Sequence, residues 1–319
     1  SNWYCIIHNT KKITTAQPWH RSPKTFLLHH DTGTYSCFRT IKKNKVYEWD
    51  THISRMVLGA YQSHNPSITS RFTETMEYKS ALATITSIFM KNMQLGIKLF
   101  RENFPQQEDE IRAYSLLQKP DSDVRLHELN SSELSERCWL YLQPLPTKEN
   151  REITVQVKKY QREDPEIKSL EWMRIKTELE KSLPPNFEET LLAGGDNYNE
   201  LYEGLSSNFF AVKEKSVFVA PEGTILLGTM MRLVLEACDS LGFRVVREVP
   251  KVTEVSEWSG CFISGTSRLV LPINRITFPD HDGIQEKVFT EKCSVVVAIR
   301  KFVSDKLEER SVVILPDKQ

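Results

Sequence analysis

The sequence predicts an α+β protein of two domains, and three observations carry that prediction. The chain has 319 residues, more than one small core organises. Stretches of strand character and stretches of helical period follow one another irregularly, without the strand–helix–strand rhythm of a doubly wound sheet. A charged, proline-bearing segment, Pro144-Leu-Pro146-Thr-Lys-Glu-Asn-Arg151, divides the chain. It places a smaller domain over 1–147 and a larger one over 148–319.

Composition narrows the function classes. Hydrophobic residues are 39% and charged residues 26% of the chain, as in ordinary globular proteins. Lys plus Arg and Asp plus Glu are 42 each, so no charge excess favours a nucleic acid or an anionic membrane as partner. The longest apolar runs, such as Val295–Ile299, are far too short for a membrane span. Cys5, Cys37, Cys138, Cys238, Cys261 and Cys293 are scattered, without a CxxC, and read as separate thiols in a reducing compartment. The N-terminus lacks a basic stretch followed by an apolar run, so no secretory signal is expected. A cytoplasmic protein is the expectation, with an organelle left open.

The elements are expected in this order. Residues 33–49 form a hairpin: β-branched and aromatic flanks enclose the polar turn Lys42–Lys45. Helices follow at about 50–63, ended by Pro66, and at about 73–103, stopped by Pro105. Strands at 110–116 and 138–142 enclose a polar surface loop. The larger domain opens with a strand at 153–157 and a helix at 169–182 closed by Pro184 and Pro185. Strands are expected at 189–192, 209–212, 217–220, 244–249, 261–264 and 269–271. Helices are expected at 229–241, where Met231, Val234, Leu235, Cys238 and Leu241 share one face, and at 284–307.

Three segments carry chemistry. Val217–Leu241 runs from a strand through a glycine-containing turn into a helix whose first free amides suit an anion, with Gly228 for close approach and Thr229 as a hydroxyl. The plain alternative is a strand–helix connection with Thr229 as N-cap. Gly265-Thr266-Ser267 is a second small-residue turn, equally readable as an ordinary one. Tyr202-Glu203-Gly204-Leu205-Ser206-Ser207-Asn208-Phe209-Phe210 gathers hydrogen-bonding groups at a strand entrance, or is a tight turn leading into the core. His29-His30-Asp31 lacks further ligands at a fitting spacing and reads as a solvated loop, so no metal is expected. Lys42, Lys43 and Lys45 read as a charged turn that blunts a sheet edge.

Taken together, EGLSSNFF, APEGTILLGTMMR and FISGTSRLVLP resemble the class IV aminotransferases, the fold-type IV pyridoxal phosphate enzymes. These include branched-chain and D-amino-acid aminotransferases and aminodeoxychorismate lyase. Upstream, Gly33–Arg39 resembles the family's GxFxxxR strand, in the GxFTxxR form of the lyase. Trp49–Met56 resembles its E-H-hydrophobic-x-R-L helix, with Thr51 where Glu is usual. The segments stand in the family's order over residues 33 to about 276, and the whole chain looks most like eukaryotic members of the class.

The resemblance implies a smaller N-terminal α/β sandwich, a larger C-terminal domain with a β-barrel-like core, and a homodimer. It implies Lys168, in EIKSLEW, as the lysine that forms an aldimine with the cofactor and later moves the substrate's α-proton. From the residues alone Lys158, Lys159 and Lys176 are open alternatives, and each of the four is most often a surface charge. Glu203 corresponds to the carboxylate on the pyridine nitrogen and Arg55 to the phosphate arginine. Ser207 and Asn208 follow in the same motif. Gly228, Thr229, Met230 and Thr266 correspond to the two turns that cup the phosphate. Tyr35, Arg39, Gly265, Ser267 and Arg268 are candidates for the substrate pocket.

Two further departures stand out. Met230 and Met231 replace the usual Thr and Arg at the helix start. Trp172 and Met173 stand where branched-chain enzymes place a small residue and a tyrosine. The implied activity is amino transfer between an amino acid and a 2-oxo acid. Elimination from an aminodeoxychorismate-like substrate and a catalytically lapsed homologue are the alternatives.

Overall fold

The fold is that of a computed structural model, which describes residues 3–63, 65, 67–68, 70–106, 109–120, 124–145, 151–280 and 282–316. Pro66 and the charged stretch at 146–150 fall outside these. The chain divides into two compact units: residues 1–147, 167–175 and 308–319 form the first, and residues 148–166 with 176–307 the second.

The first unit holds strands β1 (Cys5–His8), β2 (Lys11–Lys12), β3 (Thr34–Ile41), β4 (Lys45–Tyr47), β5 (Glu110–Leu117) and β6 (Cys138–Leu145). The second holds β7 (Ile153–Lys159), β8 (Glu189–Gly194), β9 (Glu200–Gly204), β10 (Asn208–Lys213), β11 (Ser216–Phe218), β12 (Arg244–Val246), β13 (Gly260–Gly265), β14 (Leu269–Asp280) and β15 (Gly283–Val288). The last strand, β16 (Ser311–Val313), belongs to the first unit. The helices are α1 (Pro23–Leu28), α2 (Trp49–Gln62), α3 (Met76–Asn103), α4 (Ser131–Ser135), α5 (Leu170–Glu180), α6 (Thr229–Leu241) and α7 (Ser294–Leu307).

In the first unit one antiparallel sheet runs in the order β16-β4-β3-β5-β6-β1-β2. Both faces are covered, which explains why its central strands read as continuous apolar runs. Phe38, Ile111, Ala113, Leu140 and Leu142 face a core built with α2 and α3, while Tyr35, Leu116 and Tyr141 pack with Phe26, Leu27, Leu170 and Met173. On α3 the residues Ile85, Ile88, Phe89, Met93, Gly96, Ile97 and Phe100 are buried, the spacing of a helix with one apolar face. The Lys42–Lys43 turn is held from below. Both backbone amides donate to Glu110, and Lys45 pairs with Glu308 at 2.9 Å.

In the second unit six strands close into a barrel, β9-β10-β13-β14-β7-β8 and back to β9. The closing pair sets Asn208 opposite Glu203. Only β14–β7 and β7–β8 are parallel within the ring. Phe209, Ala211, Ile263, Leu271, Val155 and Leu191 fill it, one residue in two along each strand. Helix α6 lies on α7 and β13, buries Met230, Met231, Leu233, Val234, Ala237 and Cys238, and ends at Gly242 with φ +72°.

The α+β class is borne out, as is the barrel-like core. Several elements differ from expectation. Residues 284–307 are not one helix: β15 pairs with β14 over 283–288, and α7 starts only at Ser294. Ile284 and Val288 have the i, i+4 spacing of a helix, but they are 80% and 43% exposed on a hairpin that leaves the barrel. The polar segment after β5 includes α4, capped by Asn130, whose side chain accepts from the amides of Ser132 and Glu133. The stretch His29–Asp31 is solvated only in part: His29 and Asp31 are exposed, as expected, and His30 is not. His29 stacks on Trp19 at 4.1 Å, and His30 is buried, its Nδ1 on the Phe26 carbonyl at 2.9 Å. Burial pulls the His30 imidazole down to about 4. Strands β1, β9 and β16 lie beyond the sequence expectation.

Candidate active site

Two sets of chemistry-bearing residues emerge, one in each unit. In the second unit the strand order brings β9, β10, the start of α6 and the β13–β14 turn together. Glu203, at the end of β9, is 4% exposed. One of its oxygens accepts from Arg162 at 3.1 Å and the other from the Leu226 amide at 3.1 Å. Asn208 spans the next gap: its Nδ2 donates to the Leu226 carbonyl at 2.7 Å and its Oδ1 accepts from the Gly228 amide at 3.2 Å. The hydroxyls of Thr229 and Thr266 lie 3.0 Å apart. The two glycine-threonine turns therefore meet. At the start of α6 the amides of Thr229 and Met230 have no intrahelical acceptor by construction, and the dipole favours an anion there. Met230 itself is fully buried, so what it presents to that end is its backbone.

Gly228 shows how tightly this cup is built. A Cβ added there would stand 2.3 Å from Asn208 Oδ1. Its φ of −65° suits any residue, so the restriction is space and not backbone conformation. Gly228→Ala is expected to displace Asn208 at a stability cost of about 1 kcal/mol, which urea unfolding checks.

Ser206, Ser207 and Arg268 are engaged elsewhere in the same unit. Ser207 Oγ donates to Glu189 at 2.8 Å, the Leu205 amide donates to Glu189 at 3.2 Å, and Arg268 pairs with Glu189 while also reaching Ser206 Oγ at 3.0 Å and the Glu188 carbonyl at 3.1 Å. Burial pushes the Glu189 carboxyl up, but the Arg268 guanidinium, with Lys176 and the Ser207 hydroxyl, outweighs it and holds the group below the usual carboxylate range. Gly265 sits against the Ser206 carbonyl, 3.3 Å from where its Cβ would be, and Ser267 lies half-buried in the same turn.

In the first unit Lys168 is held by backbone pairing to the sheet. The Tyr35 amide donates to the Lys168 carbonyl at 2.9 Å, and the Leu170 amide donates to the Gly33 carbonyl at 3.0 Å. The ammonium stands 5.3 Å from the centre of the buried Tyr35 ring. The lysines that the sequence left open have other surroundings: Lys159 lies over Tyr198, and Lys176 pairs with Glu180 at 3.5 Å. Arg55, on α2, donates to Ser36 Oγ at 3.0 Å, and Ser36 Oγ is 2.8 Å from His52 Nδ1. Burial, then Arg55, then Lys168 hold the His52 imidazole well below its ordinary value. Arg39 reaches the Thr40 carbonyl at 3.3 Å, with Glu110 nearby. Arg162, Glu189, Ser36 and His52 were absent from the sequence-level set. Only a buried charge partner could have pointed to the first two, and burial is not written in composition.

The model of the family described as "Amino-transferase class IV" matches residues 35–276. The branched-chain-amino-acid aminotransferase 2 of Arabidopsis thaliana chloroplasts is 30% identical over 127 residues, which cover 38% of this chain and 33% of that protein. The chain thus spans about a third of the length of the curated relatives it matches. The fold of the Escherichia coli branched-chain amino acid aminotransferase superposes with a TM-score of 0.61 at 16% identity over 98% of this chain and 96% of that one. An aminotransferase from Brucella abortus with bound pyridoxal phosphate does so at 0.61 and 16% identity over 96% and 99%. Barrel, glycine-threonine turns and the EGLSSNFF strand entrance all lie within the matched span, and the chain belongs to the class IV aminotransferases, whose cofactor is pyridoxal phosphate.

Proposed function

We propose that this protein transfers an amino group between an amino acid and a 2-oxo acid with pyridoxal phosphate as cofactor. The meeting of the two glycine-threonine turns beside Glu203 carries this reading, because it places anion-binding amides and hydroxyls in one unit with a buried carboxylate. Bound pyridoxal phosphate supplies an electron sink and a temporary acceptor for the amino group.

The residues have separate tasks. Glu203 holds a proton on the pyridine nitrogen, and Arg162 orients that carboxylate through their ion pair. Thr229, Thr266, the Thr229 and Met230 amides and Arg55 bind the phosphate. Asn208 keeps the Gly228 turn open. Lys168 Nζ binds the cofactor and moves the proton at the substrate's Cα. Ser207 and Arg268 serve by bracing the strand entrance through Glu189. Tyr35 and Arg39 stand on β3 as the substrate-facing candidates. The protein works as a homodimer, and in the cytoplasm, in keeping with six cysteines of which none forms a disulfide among the described residues. Among the described residues no helix is long and apolar enough to cross a membrane.

A half-reaction screen tests the activity. Cofactor-loaded protein is given single amino acids without an oxo acid acceptor. A transaminase releases one 2-oxo acid per chain and stops until an acceptor is added. Continuous release of pyruvate and a second product from an aminodeoxychorismate-like compound would instead assign the lyase reaction. No change in the visible spectrum with any donor would sink both.

A further inference from the structure

Ser36 and His52 belong to no motif role assigned so far, yet both are fully buried and lie directly behind Arg55. A guanidinium has donors and no acceptor, so Ser36 Oγ must accept from Arg55 Nη2 at 3.0 Å. The same oxygen lies 2.8 Å from His52 Nδ1, and having two lone pairs and one proton it bonds that nitrogen in either tautomer of the ring. His52 Nε2 has no hydrogen-bond partner among the described residues. Protonating the fully buried ring would place a second cation beside the half-buried Arg55, with Lys168 nearby. Arg55, Ser36 and a neutral His52 therefore form one hydrogen-bonded chain.

The geometry points to Ser36 and His52 as positioning residues that aim the Arg55 guanidinium at the cofactor's phosphate. This rests on the proposed role of Arg55. An arginine side chain has several rotatable bonds, and its grip on an anion depends on how many rotamers it must give up on binding. An acceptor fixed in the sheet on β3, itself fixed by a buried imidazole on α2, removes that freedom beforehand. Neither residue touches the reacting atoms. His52 is fully buried, so a direct acid–base role for it on substrate has no route.

The test compares the dissociation constants of pyridoxal phosphate and of pyridoxal, which lacks the phosphate, by absorbance titration of the full chain. Their ratio isolates the phosphate's contribution, and thermal unfolding of each apo variant confirms folding. Arg55→Ala is expected to collapse the ratio. Ser36→Ala and His52→Leu are each expected to lower it roughly tenfold, with pyridoxal binding unchanged within about twofold. His52→Asn carries an acceptor oxygen where Nδ1 stood and is expected to stay near the wild-type ratio. If Arg55→Ala collapses the ratio while Ser36→Ala leaves it intact, the positioning role is overturned and the role of Arg55 stands. If Arg55→Ala leaves the ratio intact, the phosphate role of Arg55 falls, and this inference with it. A His52→Asn protein as poor as His52→Leu would overturn the hydrogen-bonding role of the ring. Should His52→Leu fail to fold, Ser36→Ala and His52→Asn decide the matter.

Discussion

Replacing Lys168 by alanine is expected to leave a folded protein to which borohydride fixes no pyridoxal phosphate covalently and which transaminates at least about a hundred- to ten-thousand-fold more slowly. Folding survives because the segment is tied to the sheet through backbone groups, the Tyr35 amide on the Lys168 carbonyl and the Leu170 amide on the Gly33 carbonyl, and none of these needs the side chain. The activity needs it under the proposed role of Lys168, in which the amine moves the proton at the substrate's Cα. Lys159→Ala and Lys176→Ala serve as controls and should keep both the borohydride-fixed cofactor and turnover. Borohydride should bleach wild type and fix the cofactor covalently, and peptide mapping should find it on Lys168. Cofactor still fixed by borohydride in Lys168→Ala would assign the role to a different lysine.

The second large effect is on stability. Arg268→Met removes the main cation facing Glu189, which is 3% exposed, and leaves a carboxylate buried with only Lys176 and hydrogen-bond donors to compensate it. Breaking one side of a buried pair costs about 3–5 kcal/mol, and the partial exposure of Arg268 places this case near about 3 kcal/mol. The pH dependence has a definite sign. In wild type Glu189 lies below its unfolded value, so its contribution is present above the ordinary carboxylate range and is lost as pH falls through the lowered value. In the variant, burial unopposed by Arg268 raises the group, so acid relieves part of the penalty. The gap between the two proteins should narrow as pH is lowered from neutrality toward the ordinary carboxylate range. Urea unfolding at several pH values with constant slope measures this. A gap below about 1 kcal/mol at neutral pH would reduce the pair to a surface contact.

Legibility differed from element to element for physical reasons. Helix α3 could be read because one face carries Ile85, Ile88, Phe89, Met93, Ile97 and Phe100, a period that strands do not produce. Strand β15 carries a helical period in sequence because Ile284 and Val288 are spaced i, i+4, while both are exposed and contribute to no core. Strand β16 has only three residues and exists because it pairs with β4, more than 260 positions away. A local window cannot register such a partner. Similarly, 167–175 joins the first unit through backbone pairing with the segment around Gly33 and Tyr35, far from it in sequence.

By itself the sequence determined the α+β class, the family and the candidate motifs, because these depend on residue type, order and spacing. EGLSSNFF, the two glycine-threonine turns and the lysine of EIKSLEW are local strings, and a string survives without knowledge of what it packs against. The tertiary structure alone decided which of the polar groups meet. Closure of the barrel set Asn208 opposite Glu203 and brought Thr229 to Thr266. Burial committed Ser207 and Arg268 to Glu189. The packing of α2 on β3 placed Ser36 and His52 behind Arg55. A buried charge or hydroxyl must find its partner across the fold, and sequence spacing carries no record of which partner that is.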